Sequence, residues 1–414
     1  MRSAAPSHGL GTTRGSLHTQ MQQDAAHAPT ANNPRVMNVL HVQGYADGGS
    51  SIHTLMLCAH LPSERYKSFL VIPRVDATVH QQLREKGVKV LFCSLKGRYD
   101  LVSAVRVFYY IIRYQPAIIH THCRNADLIG GLVSRLFPGR RLLTTVHGML
   151  LDGRGRPARS WVDRLYYWYL RTGPHAIVSI SRAVQGNLVA VCGSPRARLF
   201  TILNASEEFA LTPRPHPSEP ADSPTVFLQL GALERSKGQD TAIEAAKILA
   251  SDKLAFLLLI AGSGPEEEAL RKQVATNQLE PYVEFLGHRA DVGELLARSH
   301  ALVHPARWEG FGRVITEAMS LARPVIATRT GGIPEVVVNG ETGFLLEPED
   351  PRALADRMKW VIEHPEESRE LGRRARARYG SHFGVERFVS ETADVYHWLL
   401  ASASPPITKA PPRD

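Results

Sequence analysis

Residues 308–346 read WEGFGRVITEAMSLARPVIATRTGGIPEVVVNGETGFLL, and the reading of the whole chain turns on them. Gly310-Phe311-Gly312 precedes residues 313–321, where apolar side chains recur at helical spacing. Glycines placed there let backbone N–H groups approach a ligand closely, and a helix N-terminus favours an anion. A diphosphate suits that position. Glu309 stands on the loop before the helix and Glu317 about one turn inside it, with seven residues between them. If all eight steps were helical they would span roughly 12 Å, about the reach between the two sugars of a nucleotide-sugar. Carboxylates accept hydrogen bonds from sugar hydroxyls, so one glutamate for a donor sugar and one for a ribose is a consistent pairing. Without its surroundings the same spacing reads as a solvated helix face.

Around this stretch, short apolar runs alternate with helical patterns. Strands are expected over 225–231, 255–261, 283–286, 301–304 and 324–327. Helices are expected over 241–250, 266–276, 292–297, 313–321 and 351–364, with Asp350 as N-cap and Pro351 in the first turn of the last. Residues 211–224 hold five prolines among polar residues, which neither a helix nor a central strand accommodates, so they read as a linker. Before the linker the alternation repeats. Strands are expected over 36–42, 68–72, 88–92, 117–120, 142–146 and 176–180, and helices from 52 and over 101–114, 127–136 and 161–170. The pattern predicts an α/β chain of two domains, 36–210 and 225–400, whose parallel sheets face each other across a central cleft, with the last helix free to cross back to the first domain. Ligands of open α/β sheets sit beyond the carboxyl ends of the strands. Residues 1–35 and 401–414 lack apolar periodicity and read as disordered tails.

Composition narrows the classes further. With 43% hydrophobic and 21% charged residues in 414, the chain has ample material for cores. The longest apolar run, 254–261, falls far short of the ~20 residues of a membrane-spanning helix, and no secretory leader pattern is visible. Four scattered cysteines fit neither a disulfide framework nor a zinc site, and suit the cytoplasm. The net charge of +9 favours anionic partners, yet no block of Lys/Arg or nucleic-acid-binding signature is present, so nucleic acid is not expected as a partner. Residues 105–114 and 159–171 mix aromatics with arginine. That mixing suits the headgroup level of a bilayer, and it suits equally a helix whose aromatics face a sheet. Weak peripheral contact with an anionic inner membrane surface is the corresponding expectation.

The run E-G-F-G at 309–312, E-A-M at 317–319, P-V-I-A at 324–327, G-G-x-x-E at 331–335 and N-G-x-x-G at 339–343 resembles the signature of the retaining GT-B glycosyltransferases of family 4, also called glycosyl transferases group 1. That large family includes sucrose synthase-like, mannosyl- and lipopolysaccharide-type transferases. The resemblance extends over residues 36–400, with further matches at 231–238, 261–265 and 285–287. It implies a GT-B fold of two Rossmann-like domains and transfer of a sugar from a UDP-, GDP- or ADP-sugar to a hydroxyl, with retention. Glu309 would contact the donor sugar and stabilise charge developing at its anomeric carbon. Glu317 would bind the ribose. The loop through Gly310 and the amides of Phe311 and Gly312 would hold sugar or phosphate, and Lys237 would neutralise the diphosphate. Gly262 and Gly264 would shape the nucleotide pocket. His288 would read the base or stand simply at the surface. Gly49, after Gly48, would approach the donor phosphate and the acceptor, and His147 would contact sugar or acceptor and orient the incoming hydroxyl. His53 reads as a packing residue and His120 and His122 as structural ones.

Departures from the family pattern are visible. Ala232 stands where an arginine is usual, with Arg235 as its candidate substitute; Ala322-Arg323 replaces a glycine, read as a packing change; Ala306 replaces a serine; and Leu203-Asn204-Ala205 replaces Pro-Asn-Gly. No D-x-D element is present, so metal-independent chemistry is expected, with no cofactor besides the nucleotide-sugar co-substrate. The expected acceptor is a glycan or lipid-linked glycan of exopolysaccharide, lipopolysaccharide or glycolipid assembly. A sugar-nucleotide epimerase and a non-catalytic nucleotide-sugar-binding protein are the alternatives.

Overall fold

Two fully parallel sheets carry the chain, in a computed structural model that describes residues 36–46, 48–95, 100–151, 156–157, 160–209 and 223–402. The first is built from β1 (Met37–Gln43), α1 (Gly49–His60), β2 (Tyr66–Ile72), α2 (Ala77–Glu85), β3 (Lys89–Phe92), α3 (Leu101–Tyr114), β4 (Ile118–His122), α4 (Arg124–Ser134), β5 (Arg141–Val146), α5 (Trp161–Thr172), β6 (Ala176–Ser179), α6 (Arg182–Cys192) and β7 (Arg198–Thr201). Its strand order is β3-β2-β1-β4-β5-β6-β7. The second contains β8 (Thr225–Leu230), a 3₁₀ turn (Arg235–Lys237), α7 (Gln239–Ser251), β9 (Phe256–Ala261), α8 (Glu267–Thr276), β10 (Val283–Gly287), α9 (Val292–Arg298), β11 (Ala301–His304), α10 (Arg313–Ser320), β12 (Val325–Thr328), α11 (Ile333–Val336) and β13 (Gly343–Leu346). Its order is β10-β9-β8-β11-β12-β13. Three helices follow: α12 (Pro351–Glu363), α13 (Pro365–His382) and α14 (Val385–Ala401).

The strands are near-continuous apolar runs because helices cover both faces of each sheet. Side-chain caps set several helix starts: Asp100 accepts from the Ser103 amide at 2.9 Å, Ser160 and Asp163 form a capping box, and Asp350 accepts from the Ala353 amide at 2.9 Å. In each sheet the strand order reverses beside the first strand. The loops after β1 and β4, and those after β8 and β11, therefore open the crevices where ligands of such sheets bind.

The last helix leaves the second sheet. Phe388, Tyr396 and Leu399 of α14 pack with Val39, Met56, Leu57 and Ile118 of the first sheet's layer. By its contacts α14 belongs to the first domain, although its position in sequence lies within 225–400. Helix α14 also runs through Ala401, one residue into the stretch expected to be tail. The expected linker, apart from Ser223 and Pro224, and the expected tails at 1–35 and 403–414 lie outside the described residues.

Ala322 occupies left-handed backbone at φ 57°, where a glycine costs nothing and a Cβ is crowded. Its neighbour Arg323 is buried and donates to the Ala297 carbonyl at 3.0 Å. Ala322→Gly is expected to stabilise the protein by about 1 kcal/mol, read as a higher urea midpoint at unchanged slope. A lower midpoint would show that the alanine conformation is not strained.

Candidate active site

A cavity of about 500 Å³ lies between the carboxyl edges of the two sheets. Glu309, on the loop after β11, lines it. Burial alone would push its carboxyl up. Lys237 Nζ at 2.6 Å from Oε2, and His304 Nε2 at 3.2 Å from the same oxygen, instead hold it well below the usual carboxylate range. Oε1 accepts from the Gly310 amide at 3.0 Å. The carboxylate is therefore mostly shielded from water and charged.

Local backbone explains why these groups meet. Lys237 ends the 3₁₀ turn after β8, and its carbonyl accepts from the Gln229 side chain at 3.2 Å. On the other side, a Cβ on Gly331 (φ 51°) would sit 1.8 Å from the Glu309 carbonyl oxygen, so only glycine allows that approach. The next amide, Gly332, donates to the same carbonyl at 3.1 Å. Gly312 at φ 86° then opens α10 toward the cavity, with buried Phe311 beneath it.

Of the residues singled out in the sequence, Gly49, His147, Lys237, Glu309, Phe311 and Gly312 line the cavity. Six do not. Gly310 lies at the seam, its carbonyl accepting from Ser181 Oγ at 2.7 Å. Gly262 and Gly264 press backbone to backbone against Gly231 and Leu233. Arg235 and His288 are exposed. Glu317 is buried in an ion pair with Arg313, its pKa raised by burial against the pull of that arginine. Arg313, which the sequence reading passed over, does line the cavity, as do Arg124 and its ion-pair partner Asp163.

The description "Glycosyl transferases group 1" matches residues 214–378 and "Glycosyltransferase Family 4" matches residues 47–205. A glycosyltransferase of Methanocaldococcus jannaschii is 32% identical over 313 residues, 74% of this chain and 82% of that protein. The chain belongs to the family 4, group 1 glycosyltransferases. N-acetyl-alpha-D-glucosaminyl L-malate synthase of Bacillus anthracis is 27% identical over 309 residues, 73% of this chain and 80% of that protein. Among solved structures, Anabaena HepE in complex with UDP and glucose superposes with a TM-score of 0.73 at 22% identity, covering 87% of this chain and all of that one. The fold is GT-B.

Two contacts close the domains of this glycosyltransferase on each other. Glu335, from the second domain, caps α6 of the first by accepting from the amides of Arg182 and Ala183, each at 2.9 Å. The Ser181–Gly310 hydrogen bond lies beside it. Glu335 is the last residue of the G-G-x-x-E run, a signal legible in sequence without a geometry to explain it.

Behind His147, on the first domain's side of the cavity, lies a cluster of buried imidazoles. His147 Nε2 lies 3.2 Å from His122 Nδ1, and the His53 and His147 rings meet edge to face at 4.6 Å. His53 Nδ1 pairs with Asn204 Oδ1 at 2.9 Å. His120 is engaged on both nitrogens, by Tyr396 at 2.8 Å and Thr145 at 2.7 Å. His53 and His122 thus pack against His147 from behind, and neither lines the cavity. Two trios, His41/His120/His122 and His53/His122/His147, each bring ring nitrogens within 4.8 Å of one another, the donor set a first-row divalent cation takes.

Burial, then neighbouring imidazoles, lowers the pKa of His41 to about 3; burial lowers His53 to about 4 against its Asn204 hydrogen bond; and His120, His122 and His147 fall well below 6.5 for the same reason of burial. Below pH 6.5 the unfolded chain binds protons on these five groups that the folded chain refuses, so stability falls as pH drops toward 4. Asp127, raised to about 7 by burial, opposes them, because the folded state takes its proton first. Five groups outweigh one, and the thermal midpoint is expected to fall steadily below pH 6.5. His41→Leu should make that fall shallower, since both ring nitrogens of His41 lack a partner among the described residues. Equal slopes for the two proteins by calorimetry would refute the assignment.

Proposed function

We propose that this glycosyltransferase moves a sugar from a nucleotide-diphosphate-sugar to a hydroxyl acceptor with retention of anomeric configuration. The charged Glu309, mostly shielded and paired with Lys237 at the wall of the inter-domain cavity, carries the reading. A carboxylate held charged in a low-dielectric site stabilises positive charge at an anomeric carbon far more than it would in water. Lys237, Arg313 and the N-terminus of α10 supply positive charge for the leaving diphosphate, so the step proceeds without a metal or further cofactor.

In this mechanism the bond from the anomeric carbon to the diphosphate oxygen breaks, and the pair of electrons leaves with the nucleotide. The acceptor oxygen attacks from the same face and its proton passes to the departing phosphate oxygen. Neutral His147, held from behind by His122, orients the acceptor hydroxyl. UDP is the first nucleotide to test, because HepE shares the fold and binds UDP and glucose in its crystal. The acceptor is a glycan or lipid-linked glycan.

A thermal-shift panel of UDP, GDP and ADP, with their sugar conjugates, names the donor, since a ligand bound only by the folded state raises the midpoint. Glu309→Gln is expected to keep the nucleotide-induced rise and to lose about 100-fold or more in kcat. Glu317→Ala, which releases the cavity-lining Arg313 from its ion pair, is expected to weaken the rise. Proton NMR of the product reports the anomeric configuration. Near wild-type turnover by Glu309→Gln, or an inverted product, would remove the proposed mechanism.

A further inference from the structure

One face of the first domain breaks the usual division of polar outside and apolar inside. Helix α3 packs beside α4, and α4 beside α5. Ten of the fourteen large hydrophobic side chains exposed among the described residues lie on these helices and the turn after α4: Leu101, Val102, Val105, Phe108, Tyr109, Ile112, Leu132, Leu136, Trp161 and Trp168. Exposure reaches 75% at Leu101 and 67% at Leu136. Helix α3 turns Ser103, Val107 and Ile111 to the sheet, yet its outward positions 102, 105, 109 and 112 are also apolar. A helix that carries apolar side chains on its outward face as well as its buried one, with arginines between them, suits the boundary of a second apolar phase. A patch of this extent on a folded chain marks an interaction surface.

The charges select the partner. Arg106, Arg113, Arg135, Arg164 and Arg171 are exposed on the same helices. The carboxylates of described residues 100–141 and 160–172 are Asp100, Asp127 and Asp163, and none is exposed. Asp100 caps α3, Asp127 accepts from Tyr166 at 2.8 Å, and Asp163 pairs with Arg124. Apolar and aromatic side chains interleaved with arginine, without exposed acid, match the headgroup boundary of an anionic bilayer. The Arg135 guanidinium stacked 4.8 Å over the Trp168 ring is one such pairing.

The geometry points to this α3–α4–α5 face as a docking surface for an anionic lipid bilayer, which presents the acceptor to the cavity as a lipid-linked hydroxyl. The face runs into the site: Arg124, Asp163, Tyr166 and Tyr167, at the beginnings and inner sides of α4 and α5, line the cavity. A headgroup-level acceptor therefore meets the cleft without leaving the membrane surface. The acceptor half rests on the proposed transfer, and the docking half does not.

Co-sedimentation with vesicles of phosphatidylcholine alone, and of equal parts phosphatidylcholine and phosphatidylglycerol, tests the docking without any nucleotide. The full chain is expected to bind the anionic vesicles selectively, and less at high salt. Arg106→Glu/Arg113→Glu is expected to lower the bound fraction roughly tenfold or more, and Val105→Ser/Tyr109→Ser comparably, with unchanged thermal midpoint and unchanged nucleotide-induced rise. Equal binding by wild type and both variants, no binding by wild type, or a wild-type dimer in solution that the serine variant dissociates would overturn the docking; the last outcome would assign the face to a second copy. Once a donor is known, the variants should lose transfer to vesicle-borne acceptor while keeping acceptor-free hydrolysis of the donor. Docking intact with no turnover in any protein would fault the proposed transfer instead.

Discussion

The cleft is organised around keeping one nearly buried carboxylate charged. An unpaired carboxylate in that position would take up a proton or destabilise the fold by several kcal/mol. Lys237, His304 and the Gly310 amide prevent this together, and they come from separate places in the chain. The parallel neighbours β8 and β11 bring them together, because the loops leaving both strands open at the same edge of the sheet. The conformational requirements of the nearby chain follow. The glycine pair at 331–332 holds the Glu309 carbonyl, the 3₁₀ turn aims Lys237, and Gly312 redirects the chain into α10.

Closure of the two domains is also specified by a few directional contacts. Glu335 satisfies two amides at the start of α6 that would otherwise lack helical partners, so the second domain completes a helix of the first. Helix α14 returns and packs over β1 and β4. From Tyr396 a run of contacts leads inward through His120 to Thr145, and the His120 and His122 rings lie 4.1 Å apart. His122 then meets His147 at the cavity. The chain's last helix thus supports the floor of the site.

The alternation of buried strands and helices was legible because parallel strands covered on both faces must be apolar throughout; 101–114 and 301–304 coincide with α3 and β11. The elements not anticipated lack that signal. Strands β7 and β13 are four-residue edge strands, and α13 is dominated by polar and charged residues. Helix α14 has an apolar stripe whose spacing left open a return to the first domain, and its packing on β1 and β4 decides it. At the site, the glycine-opened start of α10 was legible, while the ion pair that holds Glu317 off the cavity wall, Arg313 and the imidazole cluster were not. Arg313 reaches the cavity only because Gly312 turns α10 toward it, and the histidines meet only through the β1–β4–β5 register, which sets His41 opposite His120 and His122 opposite Thr145.

That register has an electrostatic consequence. The cations lining the cavity are already held by carboxylates: Lys237 by Glu309, Arg313 by Glu317 and Arg124 by Asp163. His147, which shares the cavity with them, is neutral because burial lowers its pKa. Net charge in the cavity is therefore close to balanced before any ligand arrives, and the chain's surplus of positive charge does not reside there. What remains for an anion is orientation: cations fixed in place and the amides at the start of α10. Fixed groups lose little side-chain freedom when a ligand arrives, whereas exposed arginines gain attraction at longer range and lose it to salt. The same residue type serves one purpose when paired with a carboxylate at the cleft and another when exposed among apolar side chains on α3 and α5.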